Sequence, residues 1–239
     1  MTVYLLDTAV RFPPPHDADS DGLLAVGGDL RPRRLLEAYR KGIFPWYTDD
    51  QPILWWSPDP RLVLFPDGLH ISRSLGKALR RNIFTVSMDT CFAQVIHLCG
   101  TVRSDNGEGT WITSEMEDAY CRLHRMGFAH SVEVWQGDRL VGGLYGVSLG
   151  KAFFGESMFS LERDASKVAL VSLVDFVRHH GFDWIDCQVP TQHMLRMGAV
   201  EMPRSQFLSL LDLALCKPGI PGKWDFSEEL QEMNAGHFS

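Results

Sequence analysis

The sequence lacks the signals that would place it in several large classes. Its N-terminus, MTVYLLDTAVRFPPPHD, has no basic start ahead of an apolar run, and no stretch is long enough to insert in a bilayer. Neither a signal peptide nor a transmembrane helix is expected, and the expected setting is the cytoplasm. The five cysteines, Cys91, Cys99, Cys121, Cys187 and Cys216, contain no CxxC pair and are odd in number. That excludes a disulfide framework and a zinc-ribbon pattern, and it suits buried thiols in a reducing compartment. The glycines of GLLAVGGDL have neither a GK[ST] ending nor GxGxxG spacing, so no phosphate loop is read there. No GxSxG elbow surrounds Ser160, which excludes the usual serine hydrolase. His179 and His180 are adjacent, point about 100° apart on a helix, and so do not chelate one ion. Internal repeats and low-complexity segments are missing.

What is present is ordinary in bulk and particular in detail. The chain has 239 residues, 45% hydrophobic and 22% charged, enough for one large or two small domains with ample core. A net charge of -7 argues against a surface coated for nucleic acid but allows a local patch. Two basic segments exist, RPRRLLEAYRK (31–41) and RSLGKALRR (73–81). In the second, Arg73, Lys77, Arg80 and Arg81 share one helix face with no acid among them, and such a face suggests an anionic partner.

Along the chain, residues 1–60 read as irregular, holding most of the prolines, one helix over 32–41 that stops at Gly42, and a turn-rich packing element at GLLAVGGDL. SPDP marks a boundary, since two prolines forbid a continuous helix. Beyond it come a strand RLVLF, the basic helix 71–81, a strand FTVSM, a short helix 90–98, the polar loop GTVRSDNGEGTWI and a helix 114–126. HSVEVWQGDRLVGGLYGVSLGKAFFGESMF is the strongest local signal, three β runs broken by QGD and LGK: a meander of two hairpins. A helix follows, with Asp164 as N-cap and Gly181 as C-cap, then a strand FDWIDCQV, a short helix ended by Gly198 and a helix 205–216. The tail from Lys217 reads as a loosely attached end. The expected fold class is α/β of the α+β kind, with a mixed sheet that binds its ligand where neighbouring strands part.

Polar residues interrupt two apolar strands. Glu156 sits inside KAFFGESMFS, and Asp186 and Gln188 inside WIDCQVP. A carboxylate in such a place costs several kcal/mol (of the order of 3) unless it is paired. Asp186 and Gln188 are two apart on a strand and so share a face, with Cys187 turned to the core. One site for all three is the expectation, and His193, just past it, is a further candidate.

GLLAVGGDL, GIFPWY, ILWWSPDPR, LHISRSL, GTWIT, VGGLYGVSLG, FFGESMFS, ASKVAL and IDCQV together resemble the leucyl/phenylalanyl-tRNA–protein transferase family, in register from about Gly22 to Phe207. The first 20 residues and the tail carry little of the likeness. The resemblance implies a small N-terminal domain (1–60) and a GNAT-like acyltransferase domain (61–239). It implies transfer of leucine or phenylalanine, less readily methionine, from aminoacyl-tRNA to the N-terminal α-amino group of proteins that begin with arginine or lysine. The product enters the N-end rule degradation pathway. No cofactor or metal is implied, and a monomer is the default. One departure from acetyltransferases at large agrees with this. FSLERDASKVAL precedes its helix without a glycine, which leaves the backbone badly placed to cradle a coenzyme A pyrophosphate. A thioester-dependent acyltransferase and a non-catalytic tRNA-binding module are the alternatives at this point.

The implied reaction is aminolysis of an ester. An α-amino group has a pKa near 8, so roughly a fifth to a third is neutral near pH 7.5, and no strong base is demanded. The resemblance implies that Asp186 holds the acceptor amine and that Gln188 hydrogen-bonds the amine or the oxyanion. Glu156 orients Gln188 or recognises the basic side chain of the acceptor. It places Trp46 and Trp111 as stacking platforms for the terminal adenine, and Tyr39 and Tyr120 beside the donor with hydroxyls open to ribose or phosphate. Leu144, Phe153, Met158 and Leu173 form the amino-acid pocket. Leu144 and Leu173 stand where better-known members carry methionine and phenylalanine, which bears on the choice of donor. Arg73, Lys77, Arg80 and Arg81 would hold the acceptor stem by its phosphates.

Overall fold

The computed structural model describes residues 3–105 and 110–225. Part of the GTVRSDNGEGTWI loop and the end of the tail lie outside the described residues. Within them the strands form two sheets. The smaller is built before Arg61: β1 (Tyr4–Leu6), β2 (Leu23–Gly27), β3 (Phe44–Pro45) and β4 (Leu54–Trp56), in the order β1-β2-β4-β3. These are two to five residues long, too short for period-2 alternation to show, which is why the region reads as irregular in sequence. Helix α1 (Pro32–Arg40) lies among them and ends as expected at Gly42, in the left-handed region with φ +68°.

The larger sheet has seven strands, in the order β11-β5-β10-β9-β8-β7-β6. They are β5 (Arg61–Leu64), β6 (Thr85–Met88), β7 (Ala129–Gln136), β8 (Arg139–Leu149), β9 (Ala152–Ser160), β10 (Trp184–Gln188) and β11 (Val200–Met202). β7, β8 and β9 are the expected meander. β9 and β10 run parallel, joined by α5 (Ala165–His179), and the remaining pairs are antiparallel, so the sheet is mixed. Its two faces alternate by residue, as a pleat requires. Val63, Tyr145 and Phe154 join one core with α1, α3 (Phe92–Asp105), α4 (Ser114–Arg125), α7 (Arg204–Leu215) and the small sheet. Leu62, Leu64, Leu144 and Phe153 join a second with α5, α6 (Gln192–Arg196) and α2 (Arg73–Arg80).

Three expectations change. α3 runs on through Gly100, where a helix ending near residue 98 was expected. A Cβ on Gly100 would stand 3.5 Å from Ile112, ordinary packing distance, and burial of Val95, Ile96 and Cys99 outweighs a helix penalty of ~1 kcal/mol for one glycine. Asp164 precedes α5 but does not cap it with its side chain. Its φ is +66°, its carboxylate takes Lys167 Nζ at 2.6 Å, and Ser160 Oγ accepts the Ser166 N–H instead. The tail is not loose as far as it is described. Trp224 is 1% exposed and stacks on His130 at 3.8 Å, its indole packed against Phe153, Phe176 and Phe182. Its backbone N–H donates to Asp89 Oδ2 at 2.7 Å. An aromatic set among glycines, prolines and charged residues gives no periodicity to read, and only the folded sheet supplies its socket.

Candidate active site

β9 and β10 pair in parallel only as far as Phe154 opposite Asp186. Beyond that point both strands bulge. Against β8 the register steps from Tyr145–Ser157 to Gly146–Gly155, so Glu156 is the extra, unpaired residue. Against β5 it steps from Asp186–Val63 to Gln188–Leu62, so Cys187 is the extra residue of the second bulge. Bulges bend a strand and re-aim its side chains. Gly146 is required by the first: a Cβ there would lie 2.2 Å from the Phe154 carbonyl oxygen. Gln188 has φ +63°, a left-handed conformation that costs a non-glycine residue ~1–2 kcal/mol. It is held there by its own N–H, which donates to Asp186 Oδ1 at 2.9 Å.

Asp186 is fully buried and meets Arg61, itself buried, in a two-pronged pair: Nε donates to Oδ1 at 2.9 Å and Nη2 to Oδ2 at 2.6 Å. The guanidinium lies over Phe207 at 4.5 Å and Phe44 at 4.9 Å, and its Nη1 donates to the Gly42 carbonyl at 3.1 Å. Arg61 thus ties the end of α1 to the bulged strand. Sequence reading passed over it. An arginine opening a strand after two prolines looks exposed, and its partner lies 125 residues on.

Glu156 is the hub of the second cluster. Its Oε1 accepts from Tyr39 OH at 2.8 Å and Gln188 Nε2 at 2.8 Å, and its Oε2 from Tyr120 OH at 3.1 Å. The two tyrosine hydroxyls also touch each other. Burial pushes the Glu156 carboxyl up to about 7, against the hydrogen bonds from Tyr39 and Tyr120, which pull it down. The hydroxyls of Tyr39 and Tyr120 are raised well above their ordinary value, chiefly by burial and then by Glu156, so they stay protonated donors. Gln188 gives its amide nitrogen to Glu156, which leaves its amide oxygen as the acceptor it can offer elsewhere.

These strand ends open into a cavity of about 300 Å³. Its apolar wall holds Leu144, Met158 and Leu173, as expected, joined by Leu170, Ile185 and Met194. Its polar end holds Glu156, Asp186 and Gln188, so the three interrupting residues do share one site. Trp46 and Trp111 line it too. Trp46 is 40% exposed and leans on Trp56, whose Nε1 donates to the Trp46 carbonyl at 2.7 Å.

Other expected residues fall elsewhere. Phe153 is not in the wall; it lies in the same core as Leu144 and Leu173 but packs against Trp224. Tyr39 and Tyr120 have no exposed surface, and their hydroxyls serve Glu156 instead of opening to a ribose. A buried carboxylate needs donors, and these are the ones folded over it. Cys187, expected in the core, borders the cavity half-buried, since the bulge breaks the alternation that would have hidden it. Burial pushes its thiol up. Arg73, Lys77, Arg80 and Arg81 are exposed on and just after α2, and none lines the cavity. His193, in α6, does line it. Its Nε2 is buried with no hydrogen-bond partner, and burial, then Lys167 and Arg196, hold its pKa below the usual value.

Known proteins resemble this chain along most of its length. The family profile described as leucyl/phenylalanyl-tRNA protein transferase matches residues 63–212, and that of the same family's N-terminal domain matches 28–59. The leucyl/phenylalanyl-tRNA–protein transferase of Desulfatibacillum aliphaticivorans is 56% identical over 229 residues, covering 96% of this chain and 98% of that one. That of Magnetococcus marinus is 59% identical over 218 residues, 89% of this chain and 92% of its own. Among solved structures, a crystal structure of FemX matches at TM-score 0.47 and 10% identity, over 87% of this chain and 71% of that one.

Proposed function

The chain belongs to the leucyl/phenylalanyl-tRNA–protein transferase family, enzymes of tRNA-dependent aminoacyl transfer to proteins, and from that premise we propose its reaction in detail. It moves leucine or phenylalanine, and less readily methionine, from aminoacyl-tRNA to the N-terminal α-amino group of proteins beginning with arginine or lysine, which marks them for N-end rule degradation. It works as a monomer in the cytoplasm, with residues 1–60 as a small domain and 61–239 as a GNAT-like catalytic one. Arg61 sits at that seam.

The observation that carries the reading is the cavity at the parting of β9 and β10, apolar along one wall and polar at its strand ends. An amino-acid ester has that duality: an apolar side chain and, one carbon away, a carbonyl to be attacked. Leu144, Met158, Leu170 and Leu173 take the side chain, and Trp46 and Trp111 offer their faces to the terminal adenine, each stack worth ~1–3 kcal/mol. The amide oxygen of Gln188 accepts from the attacking amine and sets its lone pair toward the carbonyl. Asp186 does not hold the amine directly, since both its oxygens serve Arg61 and the Gln188 N–H. It is a positioning residue that locks the strained Gln188 backbone, while Glu156 locks the amide. Glu156 also places negative charge beside the ammonium that develops during attack.

The test is transfer of labelled leucine from leucyl-tRNA to a peptide beginning with arginine, with an alanine-initial peptide as control. Transfer to the arginine peptide alone is expected. Transfer to neither, with intact leucyl-tRNA and folded protein, would refute the reaction.

A further inference from the structure

Aminolysis must move a proton. The attacking nitrogen sheds one as its bond to the carbonyl carbon forms, and the ribose oxygen needs one as its bond to that carbon breaks. Five titratable side chains line the cavity: Tyr145, Glu156, Asp186, Cys187 and His193. Asp186 is committed to Arg61. The Tyr145 hydroxyl and the Cys187 thiol are pushed up, chiefly by burial, so both stay protonated near pH 7. Glu156 holds its charge or its proton within the cluster of Tyr39, Tyr120 and Gln188, and the Gln188 amide stands between it and the attacking nitrogen. His193 differs from all four. It stands in the first turn of α6, five residues past Gln188, where Thr191 Oγ1 caps the helix by accepting the Met194 N–H. Its ring nitrogen Nε2 is shut off from bulk water and has no protein partner; the Tyr145 and Ser157 hydroxyls on the same cavity share that state, but of the three only an imidazole takes and returns a proton near neutrality. Such an atom is expected to meet a polar group of a ligand or a water held with it.

We propose that His193 is the proton carrier of the transfer: its Nε2 takes the proton from the attacking nitrogen and returns it to the ribose oxygen as the ester C–O bond breaks. The inference rests on the aminoacyl-transfer reading above. The tautomer required has its hydrogen on Nδ1 and a lone pair on Nε2. The step is balanced, since the imidazole ends as it began and nothing beyond the ester and the amine is consumed. The surroundings favour the neutral ring at the start. The cations facing it are Lys167 of α5, partly neutralised by Asp164 at 2.6 Å, and Arg196 of its own helix. The acids across the cavity, Asp186 and Glu156, are each engaged with their own partners.

The experiment compares wild type with His193→Ala and His193→Gln in steady-state transfer from leucyl-tRNA to the arginine peptide, across pH 5.5 to 9, with and without added imidazole. Wild-type transfer is the entry condition; its absence would sink the reaction itself and leave His193 aside. Given transfer, both variants are expected to lose roughly 100-fold or more in kcat, with KM for tRNA and peptide within about threefold, as removal of a general acid–base predicts. The acid limb of the wild-type kcat profile should flatten in both. Imidazole should restore part of the His193→Ala rate and none of the His193→Gln rate, where the glutamine fills the space. A kcat within threefold of wild type in either variant would overturn the proposal. So would a loss with the acid limb intact and no rescue by imidazole, which marks a purely structural histidine.

Discussion

Glu156 is a carboxyl placed where its charge is costly, and that has a consequence for stability that is independent of catalysis. Its pKa rises from 4.5 to about 7 on folding, because burial outweighs the hydroxyls that reach it. Between those values the folded state keeps a proton that the unfolded state has lost. Stability from this group is therefore full below about 4.5 and is lost as pH climbs through about 7, the reverse of a salt-bridged carboxylate. Glu156→Gln removes the titration. Urea unfolding of both proteins at pH 4.5 and pH 8 should show wild type losing ~3 kcal/mol more than the variant over that interval. Arg61 gives the opposite lesson. Arg61→Ala strands Asp186 as an uncompensated buried charge and should cost about 3–5 kcal/mol, read as a lowered urea midpoint at pH 7. Arg61→Lys keeps the charge but not the fork and should recover only part of it. At this scale, the residues legible in sequence were those out of character with their neighbours, as Glu156, Asp186 and Gln188 are within apolar strands. Arg61 was not, because nothing local distinguishes it, and Tyr39 and Tyr120 were placed near the site with their hydroxyls pointed the wrong way. A hydroxyl's direction depends on what is folded over it.

Among the elements, the meander was legible from the turns QGD and LGK that separate its β runs, and α5 from a long apolar run ended by Gly181. The site itself arises where strand regularity fails. Two bulges, at Glu156 and at Cys187, sit beside each other at the end of the β9–β10 ladder. Alternation counted through a bulge comes out one residue wrong, which is why Cys187 was assigned to the core. The small-sheet strands were too short to carry any period. The tail shows the limit of composition: KPGIPGKWDF is rich in proline and glycine, yet Trp224 fills the space between His130, Phe153, Phe176 and Phe182. Trp224→Ala should cost about 3–5 kcal/mol through the void it leaves, measurable by chemical unfolding. Phe153 lies one residue from Phe154 at the start of the split, so the variant should also loosen the cavity and raise KM for leucyl-tRNA. A Trp224→Ala protein as stable as wild type would show that the tail does not hold this socket.

Over the whole molecule, an acidic protein presents two basic segments, of which only that of α2 carries no acid. The net charge of -7 means that long-range attraction for an anionic partner must come from a local field, and Arg73, Lys77, Arg80 and Arg81 supply it away from the cavity. Replacing all four by alanine should lower the slope of log affinity for leucyl-tRNA against log salt by roughly 3–4, about one per cation removed. The turnover at saturating tRNA should remain within about twofold. A slope unchanged from wild type would place the acceptor stem on another surface, for which Arg31, Arg33 and Arg40 of the first basic segment are the next choice.

The parting of β9 and β10 as the seat of aminoacyl transfer is the point from which the rest hangs. The most direct measurement is a crystal structure with adenosine carrying leucine through a 3′ amide, an analogue the enzyme cannot cleave. The leucyl side chain should lie against Leu144, Met158, Leu170 and Leu173, with the carbonyl beside Gln188 and the adenine on Trp46 or Trp111. An analogue bound elsewhere, with that cavity left empty, would contradict the assignment of this site and of every residue role drawn from it.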